Sequence, residues 1–301
     1  MKIVVFGGAG FLGSHVADVL SERDHKVVIF DRRESKYLKD GQISVIGDIT
    51  DQEAVEKAIK GSDIVYNFAG VADLDEAKAR PIETIKNNIL GNAVLLEASR
   101  VNAIKRFVFA STLYVYSKAG SFYRSSKQAC ELLIENYHEV YGLDFTILRY
   151  GSLYGPRADE KNGLFNILRQ ALTENKIIRH GDGEELREYI HVYDAARLSV
   201  DILCEEYKNQ HVVITGNQQV RIKDLLIMIR EMLDNKIELE FLTVDKNEHY
   251  EITPYAFNPK LAKRIQSNHY VDLGQGILEL ISEIYKEHFP HKKHNGIYVK
   301  D

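Results

Sequence analysis

Near its start the chain reads Ile3-Val4-Val5-Phe6-Gly7-Gly8-Ala9-Gly10-Phe11-Leu12-Gly13. An apolar run of strand length leads into glycines at positions 7, 10 and 13, and apolar residues at helical spacing follow. A glycine turn between a strand and a helix lets the backbone approach a pyrophosphate, which then rests on the helix N-terminus. The alternative is an ordinary tight turn. The strand–turn–helix context favours a dinucleotide site.

Short β-branched runs alternate with helical patterns throughout the first half of the chain. This alternation predicts an α/β fold, a doubly wound parallel sheet covered by helices on both faces. The helix near Asp51–Lys60 is predicted to begin at Thr50 or Asp51 as N-cap. The predicted strands are Lys2–Phe6, Lys26–Phe30, Ile43–Ile46, Ile64–Phe68, Phe107–Ala110 and Phe145–Arg149.

The character of the sequence changes after Gly151, where longer helices and loops replace the alternation. We therefore expect a dinucleotide-binding domain at 1–150, to which 187–216 returns. A smaller α+β substrate domain is expected from 151–186 and 217–301. Its predicted elements are helices at Leu164–Thr173, Asp194–Glu206, Ile222–Leu233 and Leu273–His288, with strands at Val212–Ile214 and Glu238–Phe241.

The composition is that of a globular protein, with 45% hydrophobic and 28% charged residues among 301. A net charge of -5 argues against a nucleic-acid partner, which requires clustered positive charge. Cys130 and Cys204 form neither a disulfide framework nor a metal-binding spacing, so a cytoplasmic setting and no metal are expected. The histidines of the polar tail 288–295 could bind metal, but a solvated end is the simpler interpretation. No apolar run approaches the roughly 18 residues that a membrane-spanning helix needs, so no membrane partner is expected.

Asp31 directly follows the second predicted strand. A carboxylate there accepts hydrogen bonds from ribose hydroxyls and repels a 2′-phosphate, which favours NAD as cofactor. Arg32 and Arg33 leave NADP open, because an arginine can accept that phosphate. Asp48 and Ile49 follow the third strand and are candidates for the adenine end of the cofactor. The alternative for Asp48 is a helix N-cap, and both can hold.

Tyr123 and Lys127 are four residues apart, which places them on one face of a helix. A tyrosine with a pKa of about 10 needs roughly 4 kcal/mol of differential stabilisation to act as a base near pH 7. A neighbouring ammonium and a nicotinamide cation can supply it. Thr112 ends a predicted strand and can orient a substrate hydroxyl. A Tyr-x-x-x-Lys pair alone is weak, since most such pairs lie on a surface.

Taken in order, the motifs resemble those of the extended short-chain dehydrogenase/reductases, and most closely the NAD-dependent epimerase/dehydratase family of nucleotide sugars. The resemblance covers nearly the whole chain. It rests on Gly7–Gly13, Asn67-Phe68-Ala69-Gly70, Asn88–Gly91, Ser111-Thr112 with Val115-Tyr116, Tyr123-x-x-x-Lys127, Leu148–Arg157, Gly181-Asp182-Gly183 and Arg187–Asp194.

The resemblance implies a fold of the Rossmann type and a role for each matching residue. Tyr123 would be the base, Lys127 its partner and a cofactor contact, and Thr112 the residue that aligns the substrate. The cofactor contacts would be Gly7, Gly10, Phe11, Leu12, Gly13, Asp31, Arg32, Asp48, Ile49, Phe68, Ala69, Gly70, Asn88, Tyr123, Lys127 and Tyr150. The substrate, a nucleotide-diphosphate sugar, would meet Thr112, Ser152, Asn162 and Arg187, although Arg187 could instead form a surface salt bridge.

Several positions depart from the family pattern. Dehydratases carry Asp-Glu after the threonine and decarboxylases a Glu two residues after it, whereas this chain has Leu113 and Tyr114. Ser152 replaces the usual substrate asparagine, and Arg124 adds a positive charge beside the sugar pocket.

The expected function is an NAD-dependent epimerase that transiently oxidises the sugar at C4. A nucleotide-sugar 4-dehydrogenase or 4-ketoreductase is the main alternative, and a 4,6-dehydratase is disfavoured. A dinucleotide sensor is also disfavoured, since such proteins often lose the tyrosine or the lysine. Apolar-faced helices near 84–101 and 124–141 suggest a homodimer through a four-helix bundle, unless both faces only cover the sheet.

Overall fold

The computed structural model describes residues 1–216 and 219–242. The strands are β1 Lys2–Phe6, β2 Lys26–Asp31, β3 Ile43–Ile46, β4 Ile64–Asn67, β5 Arg106–Thr112, β6 Phe145–Tyr150, β7 Ser152–Tyr154, β8 Lys176–His180, β9 Leu186–His191, β10 Gln210–Ile214, β11 Gln219–Arg221 and β12 Glu238–Leu242. The α-helices are α1 Phe11–Glu22, α2 Gln52–Ile59, α3 Leu74–Ala79, α4 Pro81–Thr84, α5 Gly91–Val101, α6 Ser121–Tyr141, α7 Gly163–Glu174, α8 Val192–Asp201 and α9 Ile222–Met232.

The largest sheet has seven parallel strands in the order β10-β6-β5-β4-β1-β2-β3. The strand order reverses between β1 and β4, which opens a crevice at the carboxyl ends of these strands. This is the doubly wound Rossmann arrangement, and it confirms the predicted fold class. The strands predicted in the first half are confirmed to within two residues at each end.

Both faces of this sheet are buried, because its strands alternate between two apolar cores. Ile3 and Val5 point to the core beneath α1 and α8. Val4 and Phe6 point to the opposite core, beneath α2, α5 and α6. Each fully buried side chain of this size stabilises the fold by about 1.5–3 kcal/mol, so β1 is firmly fixed beside the glycine turn.

Helix α6 carries two of the candidate catalytic residues in its first two turns. It begins after Gly120, whose φ is +92°, and ends at Gly142, whose φ is +71°. Glycine tolerates these left-handed conformations at both ends, so the helix is sharply delimited. At α2 the Asp51 carboxylate accepts the Ala54 N–H at 3.1 Å, which makes Asp51 the N-cap.

The smaller group of elements has its own apolar core between α7, α9 and β8. It contains a three-stranded sheet, β11-β9-β7, and the parallel pair β12-β8. Within the segment 187–216, β9 pairs with β7 and β11, α8 packs on the core of the large sheet, and β10 joins that sheet beside β6. The predicted return of this segment to the dinucleotide-binding domain stays a prediction. The helix predicted at Asp194–Glu206 ends at Asp201, and a short 3-10 helix, Glu205–Tyr207, follows. The predicted helix Leu273–His288 and the tail 288–295 lie outside the described residues.

Within 1–216 and 219–242, none of the helices has the length and the apolar character of a membrane-spanning segment.

Candidate active site

Two adjoining cavities open at the carboxyl ends of the central strands. The outer cavity, of about 310 Å³, is lined by Gly7, Gly10, Phe30, Asp31, Arg32, Arg33, Gly47, Ile49, Phe68, Ala69, Gly70, Asn87, Asp159 and Lys161. The inner cavity, of about 400 Å³, shares several of these residues and adds Phe11, Leu12, Gly13, Val71, Ala72, Asp73, Glu76, Ala110, Ser111, Thr112, Tyr123, Lys127, Tyr150, Gly151, Leu153 and Asn162.

The glycine turn between β1 and α1 lines both cavities. Gly7 has a φ of +75°, and a Cβ on Gly13 would lie only 2.3 Å from the Gly7 carbonyl oxygen. Gly10 is the N-cap of α1, and no side chain caps this helix end. The first backbone N–H groups of α1 are therefore open to an anionic ligand, as a pyrophosphate cradle requires.

Asp31 lies at the end of β2 in the outer cavity, beside Arg32 and Arg33. One of its carboxylate oxygens accepts the Ala9 N–H at 3.1 Å, which ties β2 to the glycine turn. The carboxylate is half-buried and stands where a ribose would reach it. Its position fits the predicted preference for NAD.

The segment Phe68-Ala69-Gly70 borders the outer cavity, and its contact with the cofactor stays a prediction. Asn88 lies behind this segment and outside the lining of both cavities. Its side-chain amide makes two hydrogen bonds to the backbone of Val71: Oδ1 accepts the Val71 N–H at 2.7 Å, and Nδ2 donates to the Val71 carbonyl at 3.0 Å. The structure thus shows Asn88 fixing the loop that lines the cavity.

Thr112, Tyr123 and Lys127 all line the inner cavity. Strand β5 ends at Thr112, and α6 brings Tyr123 and Lys127 over that strand end. All three are buried, with 6%, 9% and 6% of their surface exposed. The Tyr123 ring meets the Tyr114 ring edge-on, with centroids 6.2 Å apart. The sequence pattern therefore converges on one site.

Lys127 donates a hydrogen bond of 2.8 Å to the Ala110 carbonyl oxygen. Its Nζ lies 4.7 Å from the centroid of the Phe109 ring and 5.8 Å from that of the Tyr123 ring. Burial disfavours the ammonium and lowers the pKa of Lys127, while the charge of Glu131 opposes that shift. The ammonium is held beside the tyrosine by the backbone of β5.

Four predicted contacts lie outside the lining of both cavities. The Asp48 carboxylate accepts the N–H and the hydroxyl of Thr50, and the Thr50 N–H lowers its pKa. Asp48 is not the N-cap of α2, which is Asp51. Ser152 lies in β7, where side chains alternate and its neighbour Leu153 faces the inner cavity.

Arg187, in β9, is also outside that lining, and only 6% of its surface is exposed. Its guanidinium donates to the Leu186 carbonyl at 2.9 Å. This burial places the side chain away from the surface, and contact with a diphosphate stays a prediction. Tyr150 lines the inner cavity, but its hydroxyl bonds the Ser199 hydroxyl of α8 at 2.5 Å. Burial raises the pKa of Tyr150, so this phenol stays neutral.

The Arg124 side chain lies outside the lining of both cavities. Its guanidinium donates to the carbonyls of Ser117 and Lys118, at 3.1 and 2.5 Å. The short loop between β5 and α6 is folded around this side chain, and its predicted electrostatic effect on the sugar pocket stays a prediction.

The sequence analysis identified Asn162 but missed Asp159 and Lys161, which line both cavities. All three belong to the segment Gly155–Asn162, which we call the strap. Arg157 forms an ion pair of 2.7 Å with Asp18 of α1. Lys161 forms one of 2.6 Å with Glu76 of α3. Asn162 caps α7 by accepting the Phe165 N–H at 3.1 Å, and it also lines the inner cavity.

A sequence signal for part of this contact exists. Asp73 and Glu76 have the spacing of a helix start, and the Asp73 carboxylate accepts the Glu76 N–H at 2.7 Å. That pattern would have found α3, which carries Glu76 to the cavity. No local signal links Lys161 to a residue so distant in sequence.

Together, the parallel sheet, the glycine turn and the tyrosine–lysine pair define a dinucleotide-dependent enzyme of the Rossmann class. The sequence profile of the NAD dependent epimerase/dehydratase family matches residues 3–215. The chain therefore belongs to this family of NAD-dependent epimerases, decarboxylases and dehydratases of nucleotide sugars, and its cofactor is NAD.

Individual relatives support the same conclusion. A UDP-N-acetyl-alpha-D-glucosaminuronate decarboxylase of Bacillus cytotoxicus is 27% identical over 93% of this chain and 96% of its own length. The UDP-glucose 4-epimerase of Thermotoga maritima, solved with UDP-glucose, superimposes with a TM-score of 0.78 at 27% identity, covering 85% of this chain and 90% of its own. The Thermus thermophilus UDP-glucose 4-epimerase, solved with NAD, gives a TM-score of 0.77 at 25% identity, covering 86% and 91%.

Proposed function

We propose that the protein is an epimerase of a nucleotide-diphosphate sugar that acts by transient oxidation at the C4 hydroxyl. The observation that carries the proposal is the convergence of Tyr123, Lys127 and Thr112 on the inner cavity, which the glycine turn also lines. A base, a cation and a hydroxyl thus face the space that a cofactor and a sugar would share.

The residues present fit NAD. The glycine turn and the uncapped start of α1 suit its pyrophosphate, and Asp31 suits its ribose. Phe68, Ala69 and Gly70 would line its binding cleft, and Lys127 would contact its second ribose. When bound, NAD supplies reversible hydride acceptance at the sugar carbon.

Tyr123 removes the proton of the sugar hydroxyl as the carbon is oxidised and returns it when the carbon is reduced on the opposite face. Lys127 stabilises the phenolate form, which would otherwise require a pH near the usual pKa of about 10. Thr112 holds the reacting oxygen in line with the tyrosine. The chain's own contribution is therefore proton transfer and positioning.

Two features argue against water elimination and decarboxylation. Leu113 is buried, and Tyr114 packs against the Tyr123 ring, at the positions where the family resemblance places the acids for those reactions. The carboxylates that do line the inner cavity are held by other contacts. Asp73 caps α3, Glu76 pairs with Lys161, and Asp159 accepts the Lys161 N–H at 3.0 Å.

The relatives support the substrate class, since all three that are described above carry UDP-sugars in their names. UDP-glucose is accordingly the first compound to test, with GDP-, CDP- and dTDP-hexoses beside it. The smaller domain would select among these nucleotide sugars. Asn162, one of its predicted substrate contacts, lines the inner cavity.

The test is product analysis of each nucleotide sugar, together with the absorbance of reduced nicotinamide. Tyr123→Phe is expected to lower kcat by at least about a hundredfold, within the range typical of a lost acid–base group. Tyr141→Phe is the matched control, because Tyr141 lies on the same helix and is exposed. It should leave kcat unchanged.

The C4 epimer without lasting reduced nicotinamide supports the epimerase. Stoichiometric, persistent reduction would indicate a 4-dehydrogenase, and turnover of a 4-keto sugar with added reduced cofactor would indicate a 4-ketoreductase. Full activity of Tyr123→Phe would overturn the catalytic assignment of Tyr123, and no turnover of any nucleotide sugar by the natural chain would favour a binding protein.

A further inference from the structure

A buried ion pair lies directly behind the site. Arg149 of β6 binds Glu131 of α6 through two hydrogen bonds, from Nε to Oε1 at 3.1 Å and from Nη2 to Oε2 at 2.6 Å. The exposed fractions of the two side chains are only 15% and 9%. A buried ion pair seldom stabilises a fold more than an apolar pair of the same size would. Stability alone therefore does not account for the charges at this place.

Glu131 connects the pair to the strand end that carries Thr112. The Ser111 hydroxyl, itself buried, donates to Glu131 Oε1 at 2.5 Å. Ser111 immediately precedes Thr112 and lines the inner cavity with it. The carboxylate thus clamps the end of β5 to the same helix that carries the base.

Glu131 also lies one helical turn after Lys127, on the same face of α6. Its charge acts to keep Lys127 protonated against the effect of burial. Cys130, the other titratable neighbour on this helix, is a neutral thiol because burial raises its pKa to about 12. From the strands, Lys127 is faced by the Ala110 carbonyl and the Phe109 ring of β5. Its Nζ also lies over the Tyr123 ring of its own helix, and the neutral Tyr150 of β6 lines the same cavity.

We propose that Glu131 is a positioning residue for the reaction: its carboxylate, held by Arg149, keeps Lys127 in the ammonium form and fixes the strand end that carries Thr112. The inference rests on the proposed function of Lys127 and extends it to a residue that lies outside both cavities. Arg149 serves to hold and orient the carboxylate through its two hydrogen bonds. Its guanidinium also donates to the Tyr116 hydroxyl and lies 2.8 Å from Nδ1 of His211, which fixes it from two further sides.

The test measures the ionisation of Lys127 directly. Lysine labelled with ¹³C at Cε is titrated by NMR, and the Lys127 signal is assigned by its loss in Lys127→Met. In Glu131→Gln we expect the midpoint of Lys127 to fall by at least about one pH unit, because a nearby negative charge is lost and Arg149 is left uncompensated. Glu135→Gln, one turn further along α6 and facing His211, is the control and should leave the midpoint unchanged.

Because an unpaired buried arginine can prevent folding, the double variant Glu131→Gln/Arg149→Met is titrated as well. It removes both charges and is still expected to lower the Lys127 midpoint. If Lys127 titrates in the folded variants with the same midpoint as in the natural chain, the inference is overturned.

Kinetics with UDP-glucose, or with the nucleotide sugar that proves active, provide the second readout. Glu131→Gln should lower kcat on the order of tenfold with KM within about twofold, and the active pH range should narrow on its alkaline side. Unchanged kcat and pH range in Glu131→Gln, with Tyr123→Phe inactive, would overturn the role of Glu131 alone. Full activity of Tyr123→Phe would overturn the proposed function, while the NMR titration would still report whether Glu131 controls Lys127.

Discussion

Lys127 illustrates how a single residue is placed under competing constraints. Burial disfavours its charge, whereas its proposed role requires that charge beside Tyr123. The hydrogen bond to the Ala110 carbonyl fixes Nζ without neutralising it. The side chain is therefore positioned by backbone rather than by a direct ion pair, which leaves its charge available to a phenolate.

Replacement of this lysine provides a test at the residue scale. Lys127→Met is expected to lower kcat and to move the pH optimum upward. The variant lacks the positive charge that favours the phenolate, so the pKa of the tyrosine rises towards its usual value. The pH–rate profile is the measurement, with the exposed Lys57→Met as control. An unchanged profile in Lys127→Met would contradict this role.

At the residue scale the sequence was most informative where the spacing of a motif determines how its side chains are placed relative to one another. Tyr123 and Lys127 are four apart on a helix, and both face the inner cavity as that spacing predicts. Ser152 and Arg187 were less predictable, because their orientation depends on how β7 and β9 pair. That pairing is a long-range contact, which a single sequence does not encode locally.

The turn between β1 and α1 is the element on which cofactor binding depends. Gly13 allows the first turn of α1 to approach the Gly7 carbonyl, at a distance that no Cβ tolerates. The backbone must shift if this glycine is replaced, and the N–H groups that would face a pyrophosphate shift with it.

We expect Gly13→Ala to weaken NAD binding by at least about tenfold, because overpacking at a rigid contact costs on the order of 1–3 kcal/mol. Calorimetric titration with NAD measures the effect. Gly163→Ala is the control, because a Cβ on Gly163 would meet no atom within 4 Å. Gly163, like Gly13, lies in the first turn of a helix, here α7. Equal NAD affinity of Gly13→Ala and the natural chain would contradict the importance of this contact.

Helices and strands with a clear pattern of apolar residues were predicted well from the sequence, whereas elements of only a few residues were not. The six strands predicted in the first half are apolar runs that an all-parallel sheet buries on both faces. Strands β7 and β11 have three residues each, too few to display an alternation. The helical turn Ile85–Leu90 adopts a π-helical form between α4 and α5, which helical spacing alone does not reveal.

On the scale of the whole molecule, α5 and α6 lie side by side and expose apolar residues. Leu132, Val140 and Tyr141 of α6 are each more than half exposed, as is Val101 of α5. The two helices are joined by a hydrogen bond of 3.2 Å from the Tyr137 hydroxyl to Glu97. We propose that this face associates with the same face of a second copy, as a four-helix bundle.

The oligomeric state tests that proposal. By light scattering, the natural chain should have twice the mass of a single chain. The double variant Leu132→Glu/Val140→Glu should have the mass of a single chain, because its carboxylates would be buried against each other across the symmetric interface. Leu198→Glu, on α8 at the opposite face of the sheet, is the control and should leave the mass unchanged. A monomeric natural chain would refute the proposed dimer.

The strap has a consequence for how the enzyme would use its cofactor. Its two anchoring ion pairs, Arg157 with Asp18 and Lys161 with Glu76, attach it to helices α1 and α3. We expect the exchange of bound dinucleotide with the surroundings to require that at least one of these anchors detaches first. We therefore expect slow exchange and long residence, so that each molecule of protein keeps one dinucleotide over many reaction cycles. Such retention suits an isomerisation in which the electrons that leave the sugar must return to it.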